Sequence, residues 1–208
     1  MKKLLTVAVA LFVSVAAFAQ GGGIVAGYTA SQMSLKQEVQ NIGVNIKSAP
    51  NFHVGFAYNQ PLLLGLAIQP EILYSSKGST WGVAGQEMTG RMGYIEVPVQ
   101  VQWGIDLIAL KPYIFAEPFV GYAINGKIDV NGLINAGKEF DINDLDSRLE
   151  YGFSVGAGVM LFRHLQASFK YFWNFDQCGF GDYMKNVQSA LSDSKGFSGL
   201  SLSAALFF

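Results

Sequence analysis

The chain ends in Gly199-Leu200-Ser201-Leu202-Ser203-Ala204-Ala205-Leu206-Phe207-Phe208. On an extended backbone Leu200, Leu202, Ala204, Leu206 and Phe208 share one side. Gly199, Ser201, Ser203 and Ala205 share the other, with Phe207 at its end. Period two is the period of a strand, because successive side chains point to opposite faces. One face is greasy, and the other is mostly small or polar.

Working back along the chain, the same alternation recurs. Phe52, Val54, Phe56 and Tyr58 oppose His53, Gly55, Ala57 and Asn59. Leu64, Leu66, Ile68, Pro70, Ile72 and Tyr74 oppose Gly65, Ala67, Gln69, Glu71, Leu73 and Ser75. Segments 94–103, 151–161 and 165–174 alternate in the same way. Two segments are less clean: 22–31 is short and glycine-rich, and 111–124 is apolar on both faces apart from Glu117. Together these make eight strands.

Composition bounds what such strands can build. Half of the 208 residues are hydrophobic and only 14% are charged, against about 25% charged in an ordinary soluble domain. The apolar content excludes a disordered chain. A net charge of −1, with few basic runs, argues against a nucleic-acid partner. The single cysteine, Cys178, allows neither an internal disulfide nor a cysteine-based metal site.

The first 19 residues read as a secretory signal peptide. Lys2 and Lys3 precede an apolar run from Leu4 to Phe18, and Ala17-Phe18-Ala19 is a small-x-small cleavage signal. A membrane anchor is the alternative, but the run is short for a ~20-residue span. No cysteine follows the cut, so lipoprotein processing is not implied. Residues 20–208 then form the mature domain. Beyond residue 20 no stretch has 18 uninterrupted apolar residues, so helical spans are not expected.

A soluble sandwich also alternates. Three observations favour a transmembrane barrel. The non-apolar face carries glycine, serine and glutamine, which suit the cramped inside of a small barrel. The connections alternate in length: 32–51, 76–90, 125–148 and 175–196 are long, whereas 60–63, 104–110 and 162–164 are short. Long loops at one end and short turns at the other is the bacterial outer-membrane arrangement. Finally, aromatic residues mark strand ends. Traced up and down, Tyr58, Trp103 and Phe208 face outward at the periplasmic rim, and Tyr74, Tyr122, Tyr151 and Trp173 at the outer rim. Rings with one apolar and one polar edge prefer that boundary. The expected fold is all-β: an eight-stranded antiparallel up-and-down transmembrane β-barrel.

The strand sequences resemble the PorT-like outer-membrane β-barrel family of Bacteroidetes-type bacteria. The residues that carry the resemblance are Gly23-Ile24-Val25-Ala26-Gly27, His53-Val54-Gly55-Phe56, Tyr94-Ile95-Glu96-Val97-Pro98 and, most specifically, Gln69-Pro70-Glu71-Ile72-Leu73-Tyr74-Ser75-Ser76-Lys77-Gly78. The family often has Gly-Pro in strand five, where this chain has Glu117-Pro118. The resemblance implies an eight-stranded barrel and an outer-membrane address. The family name comes from a member linked to protein secretion. Pro70, Pro98 and Pro118 lie inside expected strands, where each removes a ladder hydrogen bond, so local bulges are expected there.

Eight strands enclose an interior just wide enough for side chains to fill. The charges expected inside are Glu71, Glu96, Glu117 and Lys170, with Arg91 and Arg148 near the outer rim. Three carboxylates in a narrow lumen repel unless paired or protonated, so this polar cluster is read as a hydrogen-bonded plug rather than a cation or proton site. The enzyme alternative rests on His53 and Ser75, which face inward on adjacent strands; no nucleophile elbow accompanies them. His164 falls in a tight turn. The acidic residues of 125–148 lack EF-hand spacing. Met184, Val187, Ala190 and Leu191 within 182–195 fall at helical spacing and suit a cap or a partner contact.

The expectation is therefore a non-enzymatic outer-membrane protein of a Gram-negative bacterium, without cofactor, metal or nucleic acid. Its partners are outer-membrane lipid and an envelope protein reached through the long loops. The alternative is a narrow channel or a secretion-related component.

Overall fold

The computed structural model describes residues 21–34, 45–83, 86–130, 137–139, 148–175 and 195–208. The signal segment 1–19, Cys178, the apolar stripe of 182–195 and the acidic side chains of 125–148 lie outside what it describes.

Eight long strands follow one another: β1 (Gly22–Ser34), β2 (Asn45–Tyr58), β3 (Leu66–Val83), β4 (Gln86–Gly104), β5 (Leu110–Val130), β6 (Leu149–Leu161), β7 (Leu165–Asn174) and β8 (Lys195–Phe207). Each pairs antiparallel with its neighbours in sequence, and β1 also pairs with β8, so the sheet closes into a barrel. Gly23 marks the seam, opposite Phe207 on one side and Ala57 on the other. Two short pieces extend the ladder, Gln60–Pro61 on β3 and Gly137–Glu139 on β5. Closure leaves no sheet edge, which a strand-built membrane protein requires.

Three strands run further than the alternation suggests. β3, β4 and β5 have 18, 19 and 21 residues. The expected loop 76–90 is largely a hairpin, paired from Lys77↔Met92 to Val83↔Gln86. Ser76, Lys77, Gly78, Ser79 and Thr80 show no hydrophobic alternation, so nothing in their hydropathy marks a strand. At its other end β3 starts later than expected, because Leu64 and Gly65 form the turn.

The expected proline bulges are absent at the three predicted sites. Pairing is interrupted where Pro98 faces Glu71 and where Pro118 faces Val99, but the register is the same on both sides of each gap. The shifts fall elsewhere: between Ser48 and His53 on β2, where Pro50 lies, between Gly93 and Tyr94 on β4, and between Met33 and Ser34 on β1. At the β2 shift, Ser31 reaches across from β1. Its Oγ accepts from Gly78 N and donates to Gly78 O, both at 2.9 Å, and so partners backbone that β2 leaves unpaired.

Why β5 is apolar on both faces becomes clear inside. Tyr113, Phe115 and Phe119 point inward and are buried. Opposite them β6 carries Gly158, Gly156 and Gly152. A Cβ at each of these glycines would strike the facing ring. Ring and absent side chain are thus two halves of one packing decision.

The three short turns are unusual. Leu64 (φ 60), Ile108 (φ 44), Phe162 (φ 50) and Arg163 (φ 62) all sit in the left-handed region. Hairpin turns of this kind favour Asn or Gly. A residue with a Cβ there costs roughly 1–2 kcal/mol, and a β-branched isoleucine is a true outlier.

Candidate functional site: a filled, ion-paired lumen

The inward positions of all eight strands converge on the barrel axis. Glu71, Glu96 and Glu117 are buried there, and Lys170 is nearly so, which places each expected lumen residue inside. Two further buried charges, Lys77 and Glu150, belong to the same interior. Both fall inward by parity once the strands are seen to run on: Lys77 extends the odd-numbered inward face of β3, and Glu150 the even-numbered face of β6.

The charges form two clusters. In the upper one, toward the long loops, Lys77 Nζ lies 2.6 Å from Glu96 and 2.7 Å from Glu150. Asn174 Nδ2 donates to the other Glu150 oxygen at 2.6 Å. Three rings surround the ammonium: Phe119 at 4.6 Å, Phe172 at 5.1 Å and Tyr94 at 5.4 Å from their centroids. Such faces attract a cation, more strongly when it is out of water. Just below, Lys170 pairs with Glu117 at 2.5 Å, and Ser154 Oγ donates to the same carboxylate oxygen at 2.8 Å.

Toward the short turns the lumen is held differently. Gln69, Gln100, Gln102, Gln166 and Asn59 form a ladder of amides. Asn59 donates to Gln69 and Gln102 at 2.8 and 3.1 Å, and Gln102 to Gln69 and Gln100 at 2.9 Å each. Glu71 accepts from Gln69 at 2.7 Å and Gln100 at 2.9 Å. Its charge is thus met by amide donors, whereas Glu96 and Glu117 face lysines. Tyr113, Phe115, Met160 and Phe207 are buried with this layer.

Between the clusters a cavity of about 20 Å³ remains, bordered by His53, Lys77, Glu96, Glu117 and Lys170 among others. That is room for about one water. His53 uses both ring nitrogens nearby, Nδ1 with Thr29 Oγ1 at 3.0 Å and Nε2 with Ser203 Oγ at 2.8 Å. Ser75 sits directly opposite His53 in the ladder, yet the imidazole engages the other two hydroxyls. The hydrogen bonds of His53 thus go to Thr29 and Ser203 rather than to the Ser75 on which the enzyme alternative rests. His164 is exposed in its turn, its Nδ1 2.6 Å from Phe162 O.

On the outside, Trp103, Tyr151, Trp173 and Phe208 are exposed near strand ends, whereas Tyr122 and Tyr74, expected at strand ends too, lie well inside β5 and β3, which run on to Val130 and Val83. Tyr58 and Tyr74 are only half-exposed: Tyr58 donates to Gln60 at 2.9 Å, and the Tyr74 ring lies 5.7 Å from Phe52. Between the two rims the outward face is Ile, Leu, Val and Phe, as in Ile24, Val54, Val101, Ile114, Val155, Phe169 and Leu202.

Several solved structures are similar to this chain. Neisserial surface protein A is 13% identical, with a TM-score of 0.48 over 90% of this chain and 97% of that one. The attachment invasion locus protein Ail of Yersinia pestis is 14% identical, with a TM-score of 0.45 over 91% and 100%. The outer membrane enzyme PagL is 11% identical, with a TM-score of 0.44 over 88% and 99%. None of the curated proteins matches the chain. Residues 18–178 match the sequence pattern of the outer membrane protein β-barrel domain; the chain belongs to that family.

Proposed function

We propose that the protein is a closed outer-membrane barrel with a structural or interaction role: envelope integrity, adhesion, or an accessory place in an envelope complex. It is exported by a cleaved signal peptide, has no enzymatic activity, and meets its partner through the long surface loops. The observation that carries this reading is the filled lumen. Ion pairs above and amides below occupy the described lumen, and the cavity bordered by His53 and Lys77 measures about 20 Å³, room for about one water. The experiment is single-channel recording of purified protein in planar lipid bilayers. A closed barrel gives no steady ohmic conductance, and a stable open level would reject the reading.

The alternative, a secretion-related component, draws on the resemblance to the PorT-like family. It is tested by crosslinking in intact cells followed by copurification. Recovery of a secretion assembly at stoichiometric yield supports it, and recovery of the barrel alone counts against it.

A further inference from the structure

Large apolar residues occupy all three turns at the short-turn end: Leu63 and Leu64 in the first, Ile108 in the second, Phe162 in the third. Leu64 is 91% exposed, Phe162 69%, and Ile108 fully. Apolar surface left bare on this scale marks an interaction site. We propose that the turns lie within the headgroup–acyl boundary of the periplasmic leaflet, so that lipid covers them. The proposal rests on the outer-membrane location and adds the depth at which the barrel sits.

Four features select lipid over a docked protein. The exposed apolar belt continues into the turns through Leu66, Leu110, Leu161 and Leu165, and the exposed polar residues among them are few: Gln60, Asp106, Arg163 and His164. The turns join β2 to β3, β4 to β5 and β6 to β7, so they ring the whole barrel end. A bilayer covers a ring, whereas a docked protein favours one side. Each turn closes on backbone hydrogen bonds of its own: Leu62 N donates to Leu66 O at 2.8 Å, Leu107 and Leu110 exchange two bonds of 2.8 Å, and His164 N donates to Leu161 O at 3.0 Å, which lessens the polar backbone that lipid would meet. Neighbouring turns are also tied to each other, by Gly104 N to Gly65 O at 3.0 Å and Phe162 N to Ala109 O at 2.8 Å.

The fourth feature is span. Tyr151 and Leu161 are ten residues apart within β6. At strand rise and a 45° tilt that is ~23 Å, close to the ~25 Å apolar band of such barrels. A band that begins at the loop-end aromatics therefore ends at the turns. Trp103, paired with Leu66, then lies inside it. Arg163, exposed, has the length to reach the headgroups from this depth.

Nitroxide labels test the depth. Leu63→Cys, Ile108→Cys and Phe162→Cys, each combined with Cys178→Ser, are folded into phosphatidylethanolamine–phosphatidylglycerol vesicles. Folding is checked by heat-modifiable gel migration. Collision rates with oxygen and with a water-soluble nickel chelate on both sides are compared. Buried turns give an oxygen-to-nickel ratio several-fold above that of a free nitroxide in water, and near that of a label at lipid-facing Val155→Cys. A ratio equal to the aqueous one in a folded barrel overturns the proposal and leaves the surface for a protein. Where a label blocks folding, quenching of Phe162→Trp by brominated lipid, read as the increment over wild type, gives the same depth: quenching supports the proposal and its absence overturns it. Conductance reads the lumen and these labels read the outside, so the two readings fail separately.

Discussion

The upper and lower halves of the lumen are closed by different physics. Above, two lysines meet three carboxylates at 2.5–2.7 Å, with aromatic faces around one ammonium. Below, neutral amides hand hydrogen bonds from Asn59 through Gln102 to Glu71, over a packed apolar layer. Interiors of ion pairs and of amides can both be full, yet they respond differently to loss of one member. An ion whose partner is removed stays buried and uncompensated. An amide whose partner is removed loses a bond of ordinary strength. The comparison teaches that a filled barrel has a brittle half and a tolerant half.

The largest effect is expected from Lys77→Met, which strands Glu96 and Glu150 together. It should cost about 3–5 kcal/mol, read as a fall in the urea midpoint of the heat-modifiable form in lipid vesicles. Lys170→Met strands one carboxylate and should cost about 3 kcal/mol. Adding Glu117→Gln should return more than half of that loss, because a neutral amide needs no cation; a double variant no better than the single one would show that Lys170 acts through packing instead. Gln102→Leu removes two donors and one acceptor in the lower half and should cost about 1–3 kcal/mol. Glu71→Gln keeps the shape of a group already bonded to amides and should cost about 1 kcal/mol or less. The contrast collapses if Gln102→Leu proves as damaging as Lys77→Met.

Much of the barrel can be read from period two alone. Leu200 to Phe208 and Tyr151 to Leu161 show the lipid face without ambiguity, and Glu117 and Lys170 fall inward by parity. Lys77 escapes notice because it lies among Ser76, Gly78 and Ser79, where the outward face stops being greasy, and Glu150 because it stands one residue before the alternating run that starts at Tyr151. Above the bilayer, residues such as Ser76 and Gly78 are polar on both faces, so a strand there resembles a loop. The amide ladder was visible as glutamines on the inward face, but which glutamine bonds to which depends on register. Register in that half is fixed by the short turn between β2 and β3, whose Leu64 and Gly65 alternation assigns to the strand. The His53 environment is hidden for a similar reason. Thr29 and Ser203 are far from it in sequence and meet it through β1 and at the closing seam with β8.

The glycines of β6 carry a further consequence. Gly152, Gly156 and Gly158 are sockets for Phe119, Phe115 and Tyr113. A methyl group at position 156 would meet both the ring at 115 and the Phe169 carbonyl of β7; 152 is hemmed likewise by the ring at 119 and the Trp173 carbonyl, and 158 by the ring at 113 and the Ala167 carbonyl. Drift at these glycines is thereby confined from two sides, while the lipid-facing positions between them are free to wander among aliphatics one at a time.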